Sequence, residues 1–451
     1  MHKYFPNSVT RYLSKNLRSE WELEWNETQG IHTVIVVPAI CEYENIKNLL
    51  LSLSENSKSG FENSIIIFVI NQQVTSNKEV RSNNNLSLEF LRTLIKKIPI
   101  DQNQKKIIEG GINIGLVDAS SEGKEFDDKE AGVGIARKIG MDLSLQVFDY
   151  TISCKKIISC LDADCLVQNN YLAEIQKYFS RNNYSVAVVD FEHVIPNDEH
   201  NEKGILSYEI FLRHYVAGLL FAKSPFAFHT IGSTIVCDHE AYIKVGGMNT
   251  RNAAEDFYFL QKLAKNFKVQ RITTTKVKPY SRESWRVPFG TGRSMTNFLF
   301  KEKKISVFDP NIYIILKDWL SLFNSDYLLN PNLIQQESKK IHPELYCFLV
   351  NRRFNENWTK ILNNSKSSKQ IDYQRINWFD ALETLKLIHH LRDISFPMQD
   401  IKIGVENFFK VVQHSINFDP RSEISNQIQL LRFYLSELKI LENNLYQNSD
   451  L

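Results

Sequence analysis

Long apolar runs are missing from this chain of 451 residues. None reaches the ~18 residues that a membrane span needs. The most apolar region, 210–237, is interrupted by Arg213, His214, Lys223 and Pro225. The opening segment MHKYFPNSVTRYLSKNLRSEWELEW has no apolar core of the signal-peptide kind. Charge of one sign is not in excess either. Lys and Arg number 54 against 52 Asp and Glu, a formal net charge of +2. That balance gives no reason to expect nucleic acid as a partner. Cysteine is sparse: six residues, with no Cys-x-x-Cys pair. Several lie in apolar strand-like runs, so buried reduced thiols are expected rather than disulfides or a zinc site. His193, His214, His229 and His239 show no metal-ligand spacing. A structural role is expected for each, with His229 in FAFHTIGS a candidate to line a crevice. No internal repeat or long low-complexity segment is present, and NNSKSSKQ, 363–370, is the best linker candidate.

What is there is an ordinary globular composition, 43% hydrophobic and 24% charged. The spacing predicts alternating strands and helices. HTVIVVPAI, SIIIFVIN, INIGLVDAS and KIISCLDAD read as buried strands. YENIKNLLLSLSENS, LSLEFLRTLIKKI and VGIARKIGMDLSLQVF read as the helices between them. Continuously apolar strands alternating with helices predict an α/β fold with a mostly parallel sheet covered on both faces. Ligands then bind beyond the carboxyl ends of the strands. Glu42, Asn71, Asp118, Asp162 and Asp164 stand at those ends and should share one crevice. From about residue 300 the patterning becomes helical. The division expected is a lead-in at 1–30, the α/β domain at 31–300 and a helical region at 301–451.

Three stretches carry candidate chemistry. In KIISCLDADC a strand-like run ends on Asp162 and Asp164. Alternate side chains share a direction if the chain stays extended, and two carboxylates so placed suit a hard divalent cation. Solvated loop carboxylates are the plainer reading. In VGGMNTRNAAEDFYFLQKLAK, Glu255-Asp256 opens a helical pattern. The helix dipole alone favours acids there, while the functional reading is a general base held at a helix start. AGVGIARKIGMD lacks the third glycine of a dinucleotide fingerprint. Its Arg137 and Lys138 could reach phosphates or could be surface charges. SRESWRVPFGTGRSM sets Arg282, Arg286 and Arg293 among glycines, which suits a lid over an anionic ligand or an exposed basic loop.

Taken in order, VIVVPAICEYENI, LDADC and GGMNTRNAAEDFYFLQKL resemble the motifs of family-2 glycosyltransferases with the GT-A fold, over roughly residues 31–300. GVGIARKIGMD and RVPFGTGR resemble a bacterial branch of that family. The resemblance implies a Rossmann-like GT-A sheet flanked by helices and a nucleotide-diphosphate sugar donor, a UDP-sugar being favoured. It implies a manganese or magnesium ion on Asp162 and Asp164, with Asp164 the more direct ligand. Pro38, Ala39 and Glu42 would line the nucleotide pocket. Asn71, Asp118, Arg137, Asp162, Arg286 and Arg293 would complete the donor site. Asp256 would deprotonate the acceptor hydroxyl, and Glu255 would position the acceptor, a glycan or a lipid-linked sugar. The chain departs from the family where the second strand ends in INQQ instead of two acids, and where Cys41 replaces the usual Asn. Gln-x-x-Arg-Trp of the processive synthases is missing, and no histidine follows Asp256 until His342. A cytoplasmic enzyme of bacterial glycan biosynthesis is implied, soluble or resting at the inner membrane face. An inactive GT-A-like scaffold and a sugar-phosphate nucleotidyltransferase are the alternatives. The acidic AICEYENI after the first strand, in place of a glycine-rich basic loop, speaks against the latter.

Overall fold

The computed structural model describes residues 4–280, 298, 304–325, 329–416, 424 and 426–448. The described residues fall into two compact units: 4–194 with 230–280, and 195–229 with those from 298 to 448.

The first unit is built on a nine-stranded sheet, in the order β1-β4-β3-β2-β5-β8-β7-β9-β6. Its strands are β1 (Leu23–Trp25), β2 (Thr33–Ala39), β3 (Ser64–Asn71), β4 (Ile114–Ala119), β5 (Ile157–Cys160), β6 (Cys165–Val167), β7 (Val186–Phe191), β8 (Ile235–Asp238) and β9 (Val269–Pro279). The nucleus β4-β3-β2-β5 is parallel, as the continuously apolar runs predict. Every residue of β2, β3 and β4 is buried. Beyond β5 the sheet turns mixed: β8 is antiparallel to both β5 and β7, while β9 runs parallel to β7 and antiparallel to β6. The lead-in is less separate than its composition suggests, because β1 pairs antiparallel with β4.

Register places the carboxyl ends together. Val36 lies opposite Cys160, Ala39 opposite Ile70, and Ile70 opposite Asp118. The helices of this unit include α1 (Asn7–Asn16), α2 (Tyr43–Ser54), α3 (Lys58–Phe61), α4 (Lys78–Ile95), α5 (Gln102–Glu109), α6 (Val133–Val147) and α7 (Tyr171–Arg181). Helix α6 is buried nearly all round and packs on β2 and β3, with its few charged residues paired within the fold.

The second unit is helical. It takes in α8 (Glu199–Phe221), a 23-residue helix. Its Leu206, Ile210, Ala217 and Leu219 belong to the core of this unit, so packing accounts for the apolar residues there. His229 is buried and its Nε2 lies 2.9 Å from Oε1 of Glu442 on the helix Gln427–Gln447. Both partners belong to the second unit. The linker candidate at 363–370 is a tight junction between helices Phe354–Asn364 and Ser368–Trp378, with Ser367 capping the second by accepting from Gln370 N. Short polar sequence there reflects capping, not mobility. Among the described residues all six cysteines are free; Cys160, Cys165 and Cys237 are buried, and Cys154 and Cys347 are exposed.

Trp319 anchors the helical core. It is fully buried, stacks on Phe323 at 4.9 Å between centroids, and meets Phe354 and Phe379 edge-on. Trp319→Ala should destabilise this unit by about 3–5 kcal/mol, read as an earlier helical unfolding transition in denaturant by circular dichroism.

Candidate active site

The candidate residues gather where β2, β3, β4 and β5 end. β5 stops at Cys160 and the chain does not stay extended. It turns, with Cys165 N donating to the Asp162 carbonyl at 3.2 Å. The two carboxylates therefore converge through a turn, not through strand alternation. Ligand atoms of Asp162, Asp164 and Cys165 all lie within 4.8 Å of one another. Oxygen donors from Asp162 and Asp164 fit a hard divalent ion. The Cys165 thiol does not fit: burial, then the charges of Asp164 and Asp162, hold its pKa well above the ordinary thiol value. It stays protonated at neutral pH and is a poor ligand for such an ion.

Arg137 sits on the first turns of α6 and is 1% exposed. A cation so deeply buried needs anionic partners. It has two: Nη2 donates to Asp162 Oδ1, and Nη1 donates to Glu255 Oε1. A Cβ at position 232 would come within 2.6 Å of Arg137 Nη2, so glycine there leaves room for the guanidinium. One fork thus ties the turn after β5 to the start of α10 (Glu255–Ala264), which follows α9 (His239–Lys244). The sequence marks Arg137 as a phosphate-reaching residue. It does not reveal this bridge, although a cation set among the apolar residues of a helix start is the signal that asks for one.

Helix α10 opens after Ala254, whose φ of +57° is left-handed and strained for a residue with a side chain. Asn249 Nδ2 donates to the Glu255 carbonyl at 2.8 Å and pins the entry. Glu255 is buried. Asp256 keeps partial exposure, and its carboxylate accepts from Phe257 N at 2.7 Å. Its pKa is pushed up to about 7, first by burial, then by the charge of Glu255, with Arg137 pulling the other way.

The remaining candidates lie around the same strand ends. Pro38 and Ala39 close β2. Glu42 is buried and accepts from Asn45 Nδ2 at 2.5 Å. The Asn71 amide donates to the carbonyls of Ala39 and Val69, which spends it on holding β2 to β3. Asp118 is buried too, which would raise its pKa. Hydrogen bonds from Ser121, Ser120 and Arg92 outweigh that and hold it below the usual carboxylate range. Asn71 and Asp118 therefore shape the ends of β3 and β4 through bonds within the fold. Arg286 and Arg293 lie outside the described residues.

The raised Asp256 has a stability consequence. Its pKa is higher folded than unfolded, so the native state binds the extra proton. Stability then falls as pH rises from the ordinary aspartate range through about 7. Asp256→Asn removes that cost. Its melting temperature should exceed the wild type's at pH 8 and lose that advantage by pH 4, in scanning fluorimetry across the range.

Residues 127–314 match the family model described as "Glycosyltransferase like family 2", under half of the chain but spanning Arg137, Asp162, Asp164, Glu255 and Asp256. No curated protein matches the sequence. Among solved structures, the chain is similar to S. aureus TarS in complex with UDP-GlcNAc, with 12% identity, 93% of each chain covered and a TM-score of 0.36. It is similar to the mannosyltransferase PcManGT from Pyrobaculum calidifontis in complex with GDP-Man and Mn2+, with 12% identity, 98% of this chain and 93% of that one covered, and a TM-score of 0.34. A third is glucosyl-3-phosphoglycerate synthase from Mycobacterium tuberculosis, with 8% identity, 62% and 76% covered, and a TM-score of 0.32. Likeness this distant carries no argument about residues.

Proposed function

We propose that the chain, whose residues 127–314 match a family-2-like glycosyltransferase model, is a GT-A glycosyltransferase that moves a sugar from a nucleotide-diphosphate sugar, a UDP-sugar first, to an acceptor hydroxyl with inversion. One observation carries this reading. Asp162, Glu255 and Asp256 all interact with the one buried Arg137, beside Asp164 at the mouth of the parallel strands.

Asp162 and Asp164 would hold a manganese or magnesium ion, which when bound supplies positive charge to the diphosphate. Pro38, Ala39 and Glu42 line the nucleotide pocket, with Asn71 and Asp118 shaping its floor from within the fold. Arg286 and Arg293 are assigned to the diphosphate. Arg137 fixes Asp162 against Glu255 and so sets the distance between donor and acceptor ends of the site. Glu255, held in that fork, positions the acceptor. Asp256 is the base. A carboxylate with a pKa near 7 is substantially ionised at neutral pH and a stronger base than an ordinary aspartate. It takes the acceptor proton as the acceptor oxygen bonds to the anomeric carbon. The bond from that carbon to the phosphate oxygen breaks, and its electron pair leaves with the diphosphate. One displacement inverts the centre. The acceptor is a glycan or a lipid-linked sugar, and no helix among the described residues is long and apolar enough to cross a membrane. We place the enzyme in the cytoplasm or at the inner membrane face.

Thermal stability against UDP-, GDP-, dTDP- and CMP-sugars, with and without manganese, tests the donor half. An upward, metal-dependent shift with one nucleotide, lost in Asp164→Ala, is expected. Asp256→Asn should keep that shift while turnover drops about 10²–10⁴-fold. No shift with any donor, or full turnover in Asp256→Asn, would overturn the reading in favour of a GT-A-like scaffold or a different base.

A further inference from the structure

The N-terminal helix α1 has no part in the chemistry described so far, yet it reaches the segment that leads to Asp256. Tyr12 is 6% exposed. Its hydroxyl donates to Asp142 Oδ1 at 2.8 Å, and Tyr242 of α9 donates to the same oxygen at 2.6 Å. Lys138 Nζ donates to Asp142 Oδ2 at 2.8 Å and to the Tyr12 oxygen at 3.2 Å. Three donors from three helices thus meet one buried carboxylate. Burial raises both phenols' pKa values, so they stay protonated as donors.

This cluster presses on Gly247. Its φ is +76°, and a Cβ there would lie 1.9 Å from the Tyr12 oxygen and 3.1 Å from that of Tyr242. Only glycine permits both the left-handed backbone and the approach. From Gly247 the chain runs through buried Met248 to Asn249, which holds the Glu255 carbonyl. Midway, Gly134 of α6 packs so closely that a Cβ on it would lie 2.3 Å from the Arg251 carbonyl oxygen. The far end is held by Arg137, also on α6. The loop between 247 and 254 is therefore clamped against α6 at its far end and middle, and against Tyr12 at its start.

We propose that Tyr12 is a positioning residue for the Glu255–Asp256 segment, acting through Gly247. This rests on the reading of Asp256 as the base. The hydroxyl fills the space beside Gly247 and so sets the origin of a loop that carries the base. Losing it leaves Asp142 with two donors, so the cluster survives, but the loop gains room to drift. Displacements well under an ångström at a reacting group are costly to the rate.

Tyr12→Phe should lower kcat about tenfold while donor KM and the metal-dependent thermal shift stay within about twofold. Gly247→Ala should lower kcat further. The double variant should recover part of that loss, because the oxygen that clashes with the new methyl is gone. Such non-additivity marks direct contact. Hydrogen exchange gives a readout that needs no turnover: amides of 245–256 should exchange faster in Tyr12→Phe, with 157–165 unchanged. Unchanged kcat and exchange in Tyr12→Phe would overturn the proposal. So would strictly additive losses, or kcat and donor KM worsening together with a lower melting temperature. Should Tyr12→Phe not fold, Gly247→Ala disturbs the same contact from the other side and is read by the same exchange pattern. If the wild type transfers no sugar, the functional reading fails, and exchange still decides whether Tyr12 positions the segment.

Discussion

A single buried guanidinium organises this site. Arg137 is almost fully enclosed, and removing a cation from water is tolerable only with charged partners in good geometry. Asp162 and Glu255 supply both halves of that requirement from segments far apart in sequence. Lysine could not do the same, since a point charge on a flexible stem does not bridge two carboxylates in a fixed plane. The position of Arg137 follows from α6, whose apolar surface is pressed onto β2 and β3. The sheet therefore fixes the helix, the helix fixes the arginine, and the arginine fixes two acids that the chain brings in separately.

The parts legible in the sequence were those governed by local pattern. The strands β2 to β5 are continuous apolar runs, and only burial on both faces explains such runs. Asp162 and Asp164 stood out because acids at the end of an apolar run are costly without a partner. Less legible was what individual hydrogen bonds and tertiary packing decide. The turn that brings Asp162 and Asp164 together depends on a hydrogen bond from Cys165 that no local pattern announces. Nothing near Asn71 or Asp118 shows that their side chains are committed to neighbouring strands and loops. The apolar stretch around Ile210 shows no partner in its own sequence, and only its neighbours in the helical unit make it core. β7 and β8 are short and pair antiparallel, which alternation of strands and helices does not foretell.

The entry to α10 shows how backbone geometry substitutes for side-chain chemistry. Gly246 and Gly247 both adopt positive φ, and Ala254 does so without the freedom of glycine. Strain at Ala254 persists because its surroundings over-determine it: Asn249 grips the Glu255 carbonyl and Arg137 grips the Glu255 side chain. The segment is consequently a clamped arch, and acids at its end have little freedom to relax away from one another. Held there, Asp256 has its pKa raised first by burial and then by the charge of the neighbouring Glu255.

The charge count follows from the same constraint. Asp162, Asp164, Glu255 and Asp256 bring four carboxyl groups to a site where, among the described residues, the buried cation is Arg137. Retaining a proton on Asp256 relieves part of this excess, in line with the direction of its shift. A second anion entering by itself would deepen the excess at short range, where a partly dry interior screens charge poorly. Positive charge arriving between Asp162 and Asp164 would do the reverse and also lower the cost of ionising Asp256. On the proposed reading, a dication held by Asp162 and Asp164 would lower the cost of bringing an anion close and of ionising Asp256, so the three charges would be linked through electrostatics.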